Sequence, residues 1–369
     1  MHIVIDTRII ETSTGRYMQR LVENINDTLM SREHHYTVLV PGPVVEKWQK
    51  RLPNLQVIAA NQKWYTMREQ WSLFWQLRGL KPDLVHFTMP QQPLLWRGPA
   101  ITTIHDMTLI RYENISEDDN PTIYRIKQRV FLFLIRTVMR RAKAVIVPTE
   151  FVRNDLADFF GRQYIDRIYV THEAGEIPDE TPQPVSSLKN KKFLFFIGNA
   201  FPYKNVWKLV EAFVELKKTH PTLHLALAGK KDTFYRDIEQ RIKEAGIPDV
   251  HILGFVSDGE KRWLFQNSQC FVTASLSEGF CVPLLEAMIE GTPVVAADAS
   301  CLPEVVGNAG VLFDPSSTST LVGAILPLLN SEKNRRQLVL RGKKRAASFS
   351  WQRMAKQTHD LYLRETLKP

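Results

Sequence analysis

"SLSEGFCVPLLEAMIEGTPVVAADASCLPEVVG", residues 275–307, overlaps the apolar run "CFVTAS" (270–275) and contains another, "TPVVAAD". Between them Pro283 suits the first position of a helix, where its missing N–H costs nothing. A strand, a polar loop, a helix and a further strand make one unit of a parallel sheet. The loop places carboxylates, Glu278 and Glu286, on either side of the helix start. The unpaired N–H groups there form a weakly positive end that attracts anions and sugar oxygens. The plainer alternative is that Glu286 only complements the helix dipole and Glu278 caps the helix.

Outward from this stretch the same rhythm recurs. "FLFFIGN", "LHLALAG", "VHILG" and "AGVLFD" lie in the second half, and "HIVID", "YTVLV", "DLVHF", "AITTIH", "AVIVPT" and "IYVTH" in the first, each followed by a helical pattern. The alternation predicts an α/β fold of two Rossmann-like doubly wound domains, 1–172 and 193–348, facing across a cleft. It pauses at 173–192, "EAGEIPDETPQPVSSLKNKK", which reads as a linker. Residues 349–369 form a last helix with a stripe of Trp351, Met354, Leu361 and Leu363.

A chain of 369 residues suits two domains at roughly 150 residues each. With 44% hydrophobic and 24% charged residues it falls outside the disordered range. The net charge of +9 favours an anionic partner. Cys270, Cys281 and Cys301 have no CxxC spacing, which supports neither a disulfide framework nor a zinc site and fits a reducing cytoplasm. The opening "MHIVIDTRII" reads as a strand rather than a signal peptide, and no apolar run reaches about 18 residues. The sequons at Asn26 and Asn114 are therefore chance matches.

A second constellation, "FFIGNAFPYKN", ends a strand and leads into the helical "VWKLVEAFVEL". A glycine turn that admits a backbone close to phosphate oxygens, followed by a lysine and a helix start, is a phosphate cradle. In the first half "DTRIIETSTGRYMQRLVENI" puts Gly15 and Arg16 at a helix entrance, and "ITTIHDMTL" ends a strand at His105 and Asp106.

The runs "EGFCVPLLEAM", "GTPVVA" and "PEVVG" resemble, in order and spacing, the donor-domain motifs of the nucleotide-sugar glycosyltransferases of family 4. "GNAFPYKN" resembles that family's G-R-L-x-x-x-K-G, with Gly198 and Lys204 at matching positions. The resemblance covers the second domain specifically and the first more loosely. It implies the glycosyltransferase B architecture, with the last helix crossing back onto the first domain. The activity it implies is retaining transfer of a hexose from a nucleotide diphosphate sugar to an acceptor glycan hydroxyl, with a lean to a mannosyl-type donor.

By resemblance, Glu286 holds the ribose hydroxyls and Glu278 the transferred sugar. Backbone N–H groups of Gly279, Phe280, Cys281 and Val282 bind sugar hydroxyls. Gly198, Asn199 and Lys204 receive the diphosphate, which Gly15 and Arg16 close over from the first domain. Lys204 stabilises the leaving diphosphate, and His105 and Asp106 act near the reacting sugar, so the catalytic set is His105, Asp106, Glu278 and Lys204. Neither a cofactor nor a metal is expected: no DxD motif is evident, and "EDDN" at 117–120 reads as a solvated turn. Three positions depart from the pattern. Cys281 replaces a glycine, Asn199 an arginine and Asn205 a glycine, which leaves Lys230, Lys231 or Arg16 to supply any second cation.

Residues 64–78, "WYTMREQWSLFWQLR", and 125–141, "RIKQRVFLFLIRTVMRR", combine aromatic, aliphatic and basic side chains. They read either as core-packed helices or as an anionic-membrane surface, which would suit a lipid-linked acceptor and a peripheral place on the cytoplasmic face. Two competitors stand beside the transferase: a nucleotide-sugar epimerase of the same architecture, and a basic nucleic-acid-binding protein. The second rests on charge alone, since no recognition module is present, so no nucleic-acid partner is expected.

Overall fold

The computed structural model describes residues 1–367 apart from 13, 29, 63–65 and 114–119. The sequon at Asn114, the acids of 117–119 and the aromatics Trp64 and Tyr65 lie outside the described residues. The chain forms two compact units. One comprises Met1–Ile110, Arg125–Glu173 and Ser350–Pro369, the other Arg111–Tyr124 and Ala174–Phe349. Residues 111–124, assigned from sequence to the first domain, thus group with the second unit. There the Tyr112 hydroxyl donates to the Leu276 carbonyl at 3.5 Å and its ring lies 6.2 Å from that of Tyr203.

In the first unit β1 (His2–Asp6), β2 (His35–Val40), β3 (Gln56–Ala59), β4 (Leu84–Phe87), β5 (Ala100–Thr103), β6 (Ala144–Val147) and β7 (Ile168–Val170) form one sheet in the order β3-β2-β1-β4-β5-β6-β7. Every pairing is parallel. Strands such as β4 and β6 are buried along their whole length, as apolar runs in doubly covered parallel sheets are. The short β3, "QVIA", has too little apolar pattern to stand out in the sequence. The chain leaves β1 in one direction to β2 and β3 and in the other to β4, so the switch point, where such sheets bind ligands, lies between β1 and β4.

The helix Trp351–Leu367 belongs to this unit and packs on the helix Arg16–Asn26. Trp351, Met354 and Leu361 are buried, and hydrogen bonds fix the helix, among them those between Tyr36 Oη and His359 Nδ1 and between Tyr362 Oη and His86 Nδ1, each 2.6 Å. Asn26 is also buried and bonds Asn54 with both its side-chain carbonyl and its backbone carbonyl, a structural use for that sequon.

The second unit repeats the plan with β8 (Lys192–Ile197), β9 (Leu223–Ala228), β10 (Val250–Gly254), β11 (Cys270–Thr273), β12 (Val294–Ala297) and β13 (Val311–Phe313) in the order β10-β9-β8-β11-β12-β13. All pairs are again parallel. The switch point lies between β8 and β11, whose carboxyl ends carry the "GNAFPYKN" and "SLSEGFCVP" loops.

Candidate active site

Both loops at the second switch point are held from below. The Gly198 carbonyl, just past β8, accepts the buried Tyr235 hydroxyl at 3.0 Å. Pro202–Lys204 then makes a 3-10 turn, and Asn205 at φ 53 starts the helix Val206–Lys217. Asparagine tolerates this left-handed geometry better than other side chains, so it can stand where glycine is usual. The Leu276 N–H donates to the Tyr203 carbonyl at 2.7 Å, tying the loop after β11 to the loop after β8.

This tie brings together two of the expected residues. Lys204 Nζ lies 2.6 Å from Glu278 Oε1, with both side chains largely buried, and 5.3 Å from the centre of the Tyr203 ring. Burial works against the ammonium, but the Glu278 carboxylate, by its charge and its hydrogen bond, outweighs it and raises the Lys204 pKa. Lys204 therefore stays charged at neutral pH. The Glu278 N–H donates to Ser300 Oγ at 3.1 Å, fixing the loop at its acid.

The helix Val282–Ile289 places Pro283 one position later than the sequence suggests, still in the first turn. Its Glu286 is buried with Oε1 3.4 Å from Lys261 Nζ, a partner that no local motif signals. Phe280 belongs to the core, its ring 5.5 Å from that of Phe349, so only its backbone suits the expected role. Asn199 Oδ1 is buried and has no hydrogen-bond partner among the described residues. Lys230 and Lys231 are exposed, and Lys231 lies 3.9 Å from Glu239.

Cys281 precedes the helix at φ 70 and ψ 63. Burial first, then the Glu278 charge, pushes its thiol pKa up, so it is an inert side chain between charged neighbours. The left-handed region costs an L-residue roughly 1–2 kcal/mol that glycine escapes. Cys281→Gly should therefore be more stable than Cys281→Ala by roughly 1 kcal/mol, reversing the usual order of glycine and alanine. Denaturant melts of the two variants check this, and an alanine variant as stable as the glycine variant would disprove the strain.

In the first unit Gly15 precedes the helix Arg16–Asn26 and is obligatory, since a Cβ there would stand 2.2 Å from the Ile10 carbonyl oxygen. His105 follows β5, half-buried, its ring edge-on to Tyr17 at 5.0 Å and its Nδ1 3.2 Å from Glu173 Oε1. Glu173 was assigned to the linker, and its pairing is a long-range one. Asp106 caps locally, accepting from the Thr108 N–H at 2.8 Å. Behind them buried His86 bonds Thr103 Oγ1 at 2.8 Å, and burial, then His105, pushes its pKa down to about 3.

Burial disfavours the His105 imidazolium, but the Glu173 hydrogen bond and charge, with Asp106, outweigh it and raise the pKa above 6.5. A raised folded value adds stability that is fully present below the unfolded pKa and fades as pH rises through the folded one. Glu173→Gln should lower the His105 midpoint in an NMR titration and lose stability mainly at acidic pH. An unmoved midpoint would show that the pair does not act in solution.

Against known proteins, residues 179–345 match the family described as Glycosyl transferases group 1 and residues 18–173 match Glycosyltransferase Family 4. The chain is 28% identical over 304 residues to O-antigen chain mannosyltransferase B of Escherichia coli, covering 78% of this chain and 76% of that one. It is 35% identical over 185 residues to the MMP alpha-(1->4)-mannosyltransferase of Mycolicibacterium hassiacum, covering 49% and 44%. Among solved structures, sucrose-phosphate synthase from Thermosynechococcus elongatus aligns with a TM-score of 0.77 at 17% identity, over 99% of this chain and 98% of that one. Anabaena HepE in complex with UDP-glucose aligns at 0.73 and 18%, over 99% and 100%. The motifs around Glu278 and Lys204, the paired parallel sheets and both family matches agree: the chain belongs to the glycosyltransferases of family 4, with the glycosyltransferase B fold, and is a glycosyltransferase.

Proposed function

We propose that this enzyme moves a hexose from a nucleotide diphosphate sugar to a hydroxyl of an acceptor glycan, with retention at the anomeric carbon and without a metal. The observation that carries this reading is the Lys204–Glu278 pair beside the start of the Glu286 helix. In the reaction the bond from the anomeric carbon to a phosphate oxygen breaks, one to the acceptor oxygen forms, and the acceptor's hydroxyl proton passes to the departing phosphate oxygen. The departing diphosphate takes the electron pair and gains negative charge, which a permanently charged Lys204 is placed to meet. Glu278, released from the lysine by the incoming phosphates, is free to accept from a sugar hydroxyl, and Glu286 from the ribose.

HepE was solved with UDP-glucose, which favours a nucleotide diphosphate donor, and two relatives are named mannosyltransferases, which favours mannose. The relatives also favour a role in glycan assembly. Thermal stabilisation by a panel of nucleotide sugars tests the donor, and turnover of donor without acceptor would indicate an epimerase instead. Glu286→Ala should weaken donor affinity at least about tenfold, since each charged hydrogen bond contributes about 1.5–3 kcal/mol. Glu278→Ala should act mainly on turnover. Calorimetric titration with the stabilising nucleotide sugar separates the two, and unchanged affinity in Glu286→Ala would remove the ribose assignment.

A further inference from the structure

The first unit carries a face of unusual composition, built from two helices and the segment between them in space. On the helix Met67–Leu80, Leu73 and Leu77 turn inward, while Trp71 and Trp75 are 55% and 58% exposed and Met67 also faces out. Trp71 and Trp75 are therefore not core residues. On the helix Pro121–Arg141, Phe131, Leu134, Ile135 and Val138 are buried, whereas Ile126, Val130 and Phe133 are exposed at helical spacing. Segment 92–95 joins the two. Gln70 Oε1 accepts from the Leu94 N–H at 2.7 Å, Arg141 Nη1 donates to the Leu94 carbonyl at 2.8 Å, and Leu95 is exposed beside them.

Within these two helices the exposed charge has one sign. Residues 121–141 contain no acid, and at 100° per residue Arg125, Arg129, Arg136 and Arg140 line one side of the exposed stripe and Lys127 the other. The single acid of the other helix, Glu69, is buried against Arg8. Arg78 lies over the Phe74 and Trp75 rings at 5.9 and 5.7 Å, a side chain laid along apolar surface with its charge at the edge. Arg97 stands near Arg141, where burial and then this second cation lower the Arg141 pKa. Such crowding of like charge around exposed tryptophan calls for an anionic counterpart that also accepts apolar side chains. A protein surface would need both an acidic rim and an apolar centre of matching shape, whereas a bilayer with anionic headgroups offers both without shape matching.

We infer that this face docks the enzyme on anionic membranes, with Trp71, Trp75 and Phe133 entering the interface and the arginines among the headgroups. No helix among the described residues is long and apolar enough to cross a membrane, so attachment is peripheral and reversible. The inference is independent of the donor assignment, which uses none of the residues of this face.

Co-sedimentation of the full chain with phosphatidylcholine vesicles, with and without phosphatidylglycerol and at low and high salt, tests it. Binding should require phosphatidylglycerol and fall as salt rises. The double reversal Arg129→Glu, Arg136→Glu should weaken it at least about tenfold, since each cation near the surface contributes about 1 kcal/mol. Trp71→Ser with Trp75→Ser should weaken it too and remove a blue shift in tryptophan emission on vesicle addition. These sites are exposed, so circular dichroism and melting temperature should match the parent and confirm the fold. No sedimentation with anionic vesicles at low salt, equal sedimentation with neutral vesicles, or binding unaffected by either double variant would overturn it. So would self-association that Phe133→Ser abolishes in a chain that ignores lipid.

Discussion

Lys204→Ala should lower turnover by about a hundredfold or more, the scale for loss of one preorganised partner of a developing negative charge. The expectation rests on where the cation sits and on what keeps it charged. Its ammonium is held 2.6 Å from Glu278 in a largely buried pocket, so its orientation is fixed before any donor arrives. The pair also means that substitution exposes two effects. The variant loses charge on the leaving-group side and leaves Glu278 without its cation, adding repulsion against an incoming diphosphate. Donor affinity should therefore fall along with the rate. Lys204→Ala with Glu278→Gln should recover part of the affinity but little of the rate, because only the repulsion is relieved. Steady-state and calorimetric measurements on both variants test this. A chelator should leave the parent enzyme unaffected. Activity abolished by chelation and restored by magnesium would refute the metal-free reading, and a Lys204→Ala enzyme with normal turnover would refute the role of the lysine.

The strands and the donor loops were legible because their signals are local. All six strands of the second sheet stand out as apolar runs, since buried parallel strands need no polar alternation. Lys204 and Glu278 were legible through spacing and resemblance. Their direct pairing was not, because it depends on the distance between two loops set by the Leu276–Tyr203 hydrogen bond. The same holds for Glu173 beside His105 and Lys261 beside Glu286, partners brought in from distant segments. At Cys281 the chain departs from a glycine pattern, and only the backbone angle shows that the site is left-handed and that the departure carries strain. The aromatic helices were ambiguous from sequence because one periodicity serves both a core stripe and a surface stripe. Burial of Leu73 and Leu77 beneath exposed Trp71 and Trp75 separates the two.

The largest loss of stability is expected at Arg8, just past β1 in the first unit. Its guanidinium bonds Asp6 through Nε at 2.9 Å and Nη2 at 2.8 Å, and the same Nη2 lies 2.8 Å from Glu69 Oε1. All three side chains are buried. Burial alone would disfavour the Arg8 charge, but the two carboxylates outweigh it and raise its pKa. Glu69 stands in the first turn of the Met67–Leu80 helix, where Thr66 accepts from its N–H, so the triad fastens that helix to the end of β1. Arg8→Ala leaves two buried carboxylates facing one another and should cost about 3–5 kcal/mol, a large share of a typical domain's 5–15 kcal/mol. Arg8→Lys should recover only part, because a single ammonium cannot reproduce the planar fork. The sign of the pH dependence discriminates further. In Arg8→Ala one carboxylate must take up a proton to relieve the repulsion, so its folded pKa rises. The deficit should then shrink as pH falls toward the ordinary carboxylate value of about 4. Urea melts of parent and variant at neutral and mildly acidic pH measure this directly. A deficit below about 1 kcal/mol, the scale of an exposed ion pair, would show that the triad is solvated in solution rather than buried.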